Sequence, residues 1–358
     1  MSYLPSLIPD CPNLQESLYD VFVSCAENGE FRENLPFLTF LTSEANAGLL
    51  EQRILPGSGK VKTIELVYDQ RLSTDDVDSN VANPKCEATD KPAQNIELYT
   101  IDEEANISKG FLIDHSNLVR NCEANPTYVQ RQILKLIDVL DRKTSIELAV
   151  KAAALVGSYA GDVLNQDETT APDPNLEIVV KNTDGSLNPF AYQTITTAAE
   201  QTMYCDQKVV IGGIKTYNYF RSSEFTGCCS QYGNDLGAAW SAFGIATMYD
   251  RHLTAALGGN EFSLLTQPGA LQIIRYTKAG WTDGMPGVFT GHNYHHQTIV
   301  SPKTGLPYDL IIKDDCGAIS INVVGTFDLK GMPADMFATG DNMEGVNFVN
   351  QIEVVAAS

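Results

Sequence analysis

The chain has 358 residues, enough for two or three domains or one elaborate one, and its 43% hydrophobic content supports a real core. Its formal net charge is −21, from 45 acidic against 24 basic side chains, which argues against general affinity for nucleic acid or an anionic membrane. No apolar run approaches the ~18 residues of a bilayer-spanning helix, and no membrane partner is expected.

Eight cysteines are spread along the chain: Cys11, Cys25, Cys86, Cys122, Cys205, Cys228, Cys229 and Cys316. None forms a CxxC, and their density is too low for a disulfide-built domain. The first residues lack a basic region followed by an apolar core, so reduced thiols are expected.

Residues 1–56 begin with a Pro-punctuated arm containing Pro5, Pro9 and Pro12. A helix is expected over 13–26, with Leu14, Leu18, Val21 and Phe22 on one side. Phe37, Phe40 and Leu41 add apolar anchors, as in an arm that packs against its own body or a neighbour. After the turn Pro56-Gly57-Ser58-Gly59, residues 61–68 read as a strand and residues 96–101 as its returning partner. The acidic, turn-rich stretch 73–93 between them makes a long hairpin tip.

The spacing predicts a long helix over 126–164. Pro126 suits the first turn, where its missing N–H costs nothing. Val129, Ile133, Leu136, Leu140, Thr144, Leu148, Ala152, Leu155, Tyr159 and Val163 follow at steps of three or four and form one stripe. Arg131, Lys135, Asp138 and Arg142 read as a solvated flank. Thr144-Ser145-Ile146-Glu147 matches a capping box, which leaves a break into two helices open.

Beyond it come a strand at 176–180, a turn at Asp184-Gly185 and a helix over 189–205. Residues 208–213 read as a buried strand whose glycines mark a sharp turn or close packing. A helix is expected over 235–257 and a strand over 271–276, while 278–306, rich in Gly, Pro, His and Thr, reads as loop. Strands at 308–313, 319–324 and 347–355 close the chain. The fold class is α+β, without the βαβ regularity of a parallel-sheet enzyme.

The search for chemistry finds no catalytic, cofactor-binding or metal-binding residue to assign. Gly57-Ser58-Gly59-Lys60 lacks the upstream glycine and following Ser/Thr of a phosphate loop, since those places hold Ile54 and Val61. His292, His295 and His296 cluster near Asp283 and Asp309, but no HExxH helix or nearby cysteine completes a zinc site. Asp76, Asp78, Asn80 and Glu87 fall at calcium-loop offsets, yet Val81 replaces the turn glycine and Pro84 interrupts the loop. Cys228-Cys229 has no cationic neighbour to activate it. In Gly157-Ser158-Tyr159-Ala160-Gly161 the serine is second, so the stretch is no nucleophile elbow. Asn106-Ile107-Ser108 is a glycosylation sequon without a secretory signal.

The order of the pieces carries more than any one residue. An extended arm, an acidic-tipped hairpin, a long helix, an α+β region with Gly-rich turns and closing strands together resemble the Hong Kong 97-type major capsid protein of tailed double-stranded DNA bacteriophages. Lys208-Val209-Val210-Ile211-Gly212-Gly213, Gly227-Cys228, Gly233-Asn234-Asp235, and Phe262 before Gln267-Pro268-Gly269-Ala270-Leu271 resemble the axial region of such proteins. Asp315-Cys316-Gly317, the stretch 329–337 and Gly345-Val346-Asn347 resemble their C-terminal sheet.

The resemblance implies a Hong Kong 97-type capsid fold with an N-terminal arm at 1–56, an extended hairpin loop at 57–115 and a peripheral domain with a spine helix at 116–205. It implies an axial domain at 206–305 and closing strands of the peripheral domain at 306–358. The implied function is a shell subunit, not an enzyme and without a cofactor, that self-assembles into hexamers and pentamers of an icosahedral or prolate shell around double-stranded DNA, without sequence-specific binding. Implied partners are further copies of the chain, a portal, and scaffold or decoration proteins; the implied location is the virion capsid, assembled in the host cytoplasm. About 56 residues before the hairpin leave no room for the N-terminal scaffolding domain of some members. Others cross-link a loop lysine to an asparagine; Lys85, Lys91 and Asn350 are present, but no pair can be matched. The alternatives are a metal- or thiol-dependent enzyme built on the histidines and cysteines, or a related shell or tail structural protein.

Overall fold

The computed structural model describes residues 26–27, 30–31, 33–43, 51–54, 61–69, 94–102, 106–114, 125–157, 175–188, 190–203, 207–226, 245–277, 288–291, 294–315, 318–331 and 349–356. The expected helix at 13–26 lies almost wholly outside them, as do the hairpin tip at 73–93 and all eight cysteines.

The N-terminal portion supplies the paired two-residue strands β1 (Ala26–Glu27) and β2 (Glu30–Phe31), then helix α1 (Pro36–Thr42). Proline at the first helical position starts α1, and Phe37, Leu38, Phe40 and Leu41 are buried in the main core. The arm's anchors therefore dock on the chain's own body. Strands β3 (Glu51–Ile54), β4 (Val61–Asp69) and β5 (Gln94–Asp102) form a three-stranded antiparallel sheet. The expected hairpin is β4 and β5; β3, too short and polar to stand out in the sequence, is added at its edge.

Strand β6 (Ile107–Asp114) leads to α2 (Asn125–Ala154), a helix of 30 residues and about 45 Å. Val129, Ile133, Leu136, Leu140, Thr144, Leu148 and Ala152 are all buried, as the stripe requires, and Arg131, Lys135 and Arg142 are exposed. The helix runs through Thr144 without a break. Thr144 and Ser145 are at most 1% exposed, so packing on the sheet, not a local cap, decides this stretch. The helix ends earlier than expected, passing into a turn at Leu155–Gly157, where Gly157 takes φ +66°; Tyr159 and Val163 lie outside the described residues.

Then follow β7 (Asn175–Val179), α3 (Phe190–Thr202), β8 (Lys208–Gly212), α4 (Ile214–Thr226), β9 (Ile245–Tyr249), α5 (Arg251–Leu257), β10 (Phe262–Thr266) and β11 (Leu271–Tyr276). The last strands are β12 (Val288–Gly291), β13 (Tyr294–Val300), β14 (Pro307–Asp315), β15 (Ala318–Gly331) and β16 (Val349–Val355). Two expectations fail here. Within the helix expected over 235–257, residues 245–249 form a strand, β9, and residues 251–257 the seven-residue α5, while 235–244 lie outside the described residues. The loop expected over 278–306 contains β12 and β13. In both places cross-strand pairing overrides the local pattern: β9 lies parallel to β8, and β13 is paired on both sides.

A five-stranded sheet has the order β7-β16-β10-β8-β9, parallel at both ends and antiparallel around β10. Helix α3 covers it with Ile195, Ala198 and Ala199 against Leu176, Ile178, Leu265 and Ile352. Close packing explains one glycine there: a Cβ on Gly213 would lie 2.5 Å from the Asn260 carbonyl oxygen. A six-stranded sheet has the order β11-β15-β14-β13-β12, with β6 also paired to β15. The 14-residue β15 joins its parts, pairing with β6 over Ala318 to Gly325 and with β11 over Thr326 to Gly331. Ile319, Ile321 and Val323 point alternately into the core beneath α2.

Both sheets draw on distant parts of the chain. The five-stranded sheet takes β7 and β16 from either side of the 206–305 segment, and the six-stranded sheet takes β11 to β13 from within it.

Candidate functional site

Among the described residues no group of three or more His, Cys, Asp or Glu side chains is placed to hold a metal ion. His295 and His296 sit next to each other on β13 and therefore face opposite sides of the sheet. His295 Nε2 lies 3.1 Å from Gln297 Oε1, and His296 Nε2 lies 3.1 Å from Asp309 Oδ1. Both rings are buried and engaged separately, so the two cannot chelate one ion. His292 and Asp283 are outside the described residues, as are the phosphate-loop-like turn, the acidic offsets at 76–87, Cys228-Cys229 and Ser158. Asn106 and Ser108 of the sequon are exposed. Asn350 is fully buried near the start of β16, paired with Leu265.

What the fold builds instead is a set of polar clasps that fix its parts to the long helix. The first holds the arm. The Asp250 carboxylate caps α5, accepting from the backbone N–H groups of His252 and Leu253 at 2.9 Å each, and its other oxygen accepts from the N–H of Phe37 at 3.0 Å. One carboxylate thus satisfies the starts of two helices. Glu33 beside it meets Arg251, Arg142 at 3.6 Å and the His252 ring at 3.2 Å.

The second clasp holds the three-stranded sheet. On its inner face Ile64, Leu66 and Ile101 pack against Ile274 and Tyr276 of β11. The Asp328 carboxylate of β15 accepts from the hydroxyl of Tyr99 on β5 and from the ammonium of Lys151 on α2. Lys330 pairs with Glu97 and stands 5.8 Å from the centre of the Tyr99 ring. Burial pushes the Asp328 carboxyl up, but the hydrogen bonds from Lys151, Tyr99 and the Leu329 N–H, with the Lys151 charge, outweigh it and the group sits below its ordinary value. The Gln52 side chain bridges to β11, donating to the Ile273 carbonyl at 2.6 Å and accepting from the Arg275 N–H at 3.2 Å.

The third clasp joins α2 to the turn between β13 and β14. Asp141 is 1% exposed. Its Oδ2 accepts from Ser301 Oγ at 2.7 Å, and its Oδ1 accepts from Tyr308 Oη at 2.7 Å and Thr304 Oγ1 at 3.0 Å. Tyr308 is fully buried, edge-on to Phe327 at 5.4 Å. Burial lifts the Asp141 carboxyl to about 6, against the opposing pull of the three hydroxyls and Lys303. The sequence reading missed this carboxylate, placing Asp138 on the helix flank and passing over Asp141. The available signal was its position one residue from Leu140 and three from Thr144, inside the buried stripe.

On the three-stranded sheet's outer face, among Arg53, Thr63, Glu65 and Thr100, two large apolar side chains stand open. Ile96 and Leu98 alternate with Tyr99 and Ile101, and are 57% and 62% exposed. Leu112 on β6 and Val150 on α2 are exposed to a similar degree. No helix of the described residues is long and apolar enough to cross a membrane.

No protein-family model matches the sequence, and no curated protein matches it. Solved structures do align with it. The capsid asymmetric unit of cyanophage A-1(L) matches with a TM-score of 0.49 and 13% identity, over 93% of this chain and 95% of that one. The capsid structure of cyanophage P-SCSP1u matches with a TM-score of 0.45 and 11% identity, over 95% and 94%. The capsid of Ralstonia phage GP4 matches with a TM-score of 0.42 and 13% identity, over 94% and 95%. The alignments with these phage capsid structures run over most of this mixed helix-and-sheet chain.

Proposed function

We propose that this chain is a structural major capsid protein, assembling into hexamers and pentamers of a closed shell around double-stranded DNA. The observation that carries the reading is the two-faced three-stranded sheet. Its inner face is tied to the body by Asp328, and its outer face holds Ile96 and Leu98 open to solvent. A side chain that gains nothing in the isolated subunit gains when a neighbour covers it, so interface burial replaces internal burial. The negative charge suits a container wall that must not hold packaged DNA tightly. No catalysis is proposed: the histidine pair that favoured a metal enzyme is split across two faces of β13.

In this reading residues 1–56 are the arm, β4 and β5 are the extended hairpin expected over 57–115, whose last strand β6 goes with the body, and α2 is the spine. Sheet membership favours grouping β7, α3 and β16 with β8 to β10 as the axial part, and β11 to β15 with β6 and α2 as the peripheral part. The virion shell is then the protein's location, with assembly in the host cytoplasm, and portal, scaffold or decoration proteins its further partners. Electron microscopy of the purified full chain tests the function. Closed particles with five- and six-fold clusters are expected. Strict monomers at high concentration under all assembly conditions would overturn the proposal.

A further inference from the structure

Asp141 is a buried carboxylate whose hydrogen bonds come from hydroxyls: Ser301, Thr304 and Tyr308. A hydroxyl both donates and accepts, so each can turn to suit either state of the carboxyl, as a guanidinium could not. The charged groups facing it are Lys303 from the β13–β14 turn, which pulls on it electrostatically, and Asp138 from its own helix. Lys303 Nζ stands 3.9 Å from Asp138 Oδ1, at the edge of a cavity of about 10 Å³ that is lined by Leu134, Ile137, Asp141 and Pro302 as well. That volume is about what one water needs, and both the carboxyl and the mostly buried Lys303–Asp138 pair line it. Tyr308 from β14 is the remaining titratable group on the site, and its hydroxyl is held far above its ordinary value by burial and by Asp141.

The turn is a unit in its own right. Ser301 N–H donates to the Leu306 carbonyl at 2.8 Å, Gly305 N–H to the Ser301 carbonyl at 2.9 Å, and Gly305 takes φ +72°. Those two bonds are kept whether or not the turn is seated on the helix, whereas the N–H groups of Thr304 and Leu306 donate to the Ser301 and Thr304 hydroxyls at 3.3 and 3.4 Å. Only the hydroxyls of Ser301 and Thr304 reach across to Asp141.

We propose that Asp141 is a proton-operated latch, which seats the β13–β14 turn on the long helix when protonated and loosens it when ionised. The direction follows from burial. The carboxyl binds its proton up to about pH 6 when seated, against an ordinary value of 3.8 when the site is open and hydrated. The seated state therefore holds a proton that the open state has lost. Its advantage is greatest below the ordinary value, falls as pH rises towards 6, and is level above that.

Hydrogen exchange on the full chain, corrected for the intrinsic pH dependence of exchange, reads the latch at the amides of Thr304 and Leu306. Between pH 5 and pH 8 the wild-type protection is expected to fall about tenfold, nearly all of it before pH 7. In Asp141→Asn, a neutral carboxamide that cannot ionise, it stays level. Amides of β10 serve as a control and stay level in both. Tyr308→Phe keeps the buried ring and removes one donor to the ionised form, so it moves the midpoint to higher pH. Level wild-type protection, a parallel fall in Asp141→Asn, or an unmoved midpoint in Tyr308→Phe would each overturn the proposal.

Discussion

Tyr99 on the three-stranded sheet and Lys151 on the long helix donate to one and the same carboxylate, that of Asp328. Three elements that are far apart in sequence meet on two oxygen atoms. Replacing Asp328 by Asn keeps the shape but removes the charge that orders both donors. The loss is expected to be about 1–3 kcal/mol in denaturant unfolding, because charge-assisted bonds are the stronger ones and the site is half-buried. The pH dependence has a definite sign. The folded-state value lies below the ordinary one, so the contribution is present above the ordinary carboxylate range and is lost as pH falls through the lowered value. Wild-type stability should fall on acidification in that range, and Asp328→Asn should lack that part of the fall.

Asp250 serves two helix starts at once, and its removal should cost more than an ordinary cap. Asp250→Ala is expected to lose about 2 kcal/mol or more, since the N–H groups of His252, Leu253 and Phe37 lose their acceptor together. Limited proteolysis should then cut first within 33–43. Unchanged proteolysis with an unchanged midpoint would show that the arm is held by its apolar side chains alone.

Phe37 and Glu33 test which of the arm's anchors dominates. Phe37 is fully buried, and Phe37→Ala is expected to cost about 3–5 kcal/mol. Glu33 makes partly exposed pairs with Arg142 and Arg251, so Glu33→Gln should cost no more than about 1 kcal/mol. That smaller loss should shrink further in high salt, while the Phe37 effect does not. Urea titrations at two salt concentrations separate the two.

Ile96 and Leu98 make the opposite prediction. Charged substitutions at exposed positions should leave monomer stability within about 0.5 kcal/mol. In the proposed shell, Ile96→Asp with Leu98→Asp should nevertheless abolish particles, as seen by sedimentation and microscopy. Normal particles from the double variant would remove this face from the assembly interface.

The long helix and the β4–β5 hairpin were legible because their signals are local. The stripe from Val129 to Ala152 repeats at helical spacing, and 61–68 and 96–101 are rich in strand-forming side chains, so a short window suffices. Thr144 shows the limit of that window. Its capping-box pattern is real, but both Thr144 and Ser145 are buried against the sheet, and burial outweighs the cap. The 235–257 stretch fails for the same reason in reverse. Leu236, Trp240, Phe243, Thr247 and Leu253 have helical spacing, yet Ile245 to Tyr249 are held as a strand by β8, more than thirty residues upstream. The reading passed over Asp250, which caps α5 ahead of Gly258 at φ +110°.

By itself the sequence determined the α+β class, the acidic surface, the order of arm, hairpin and long helix, and the lack of any recognisable catalytic motif. These follow from composition and short-range periodicity, which need no knowledge of what lies opposite. Only the tertiary structure decided that β16 closes the sheet of β8 and β10, that His295 and His296 face apart, and that Asp141 and Asp328 are the carboxylates on which the parts converge. Each of those depends on a partner more than 50 residues away or on which side of a strand a residue falls. Hydrogen bonding and burial set both, and neither leaves a mark within a dozen neighbouring residues.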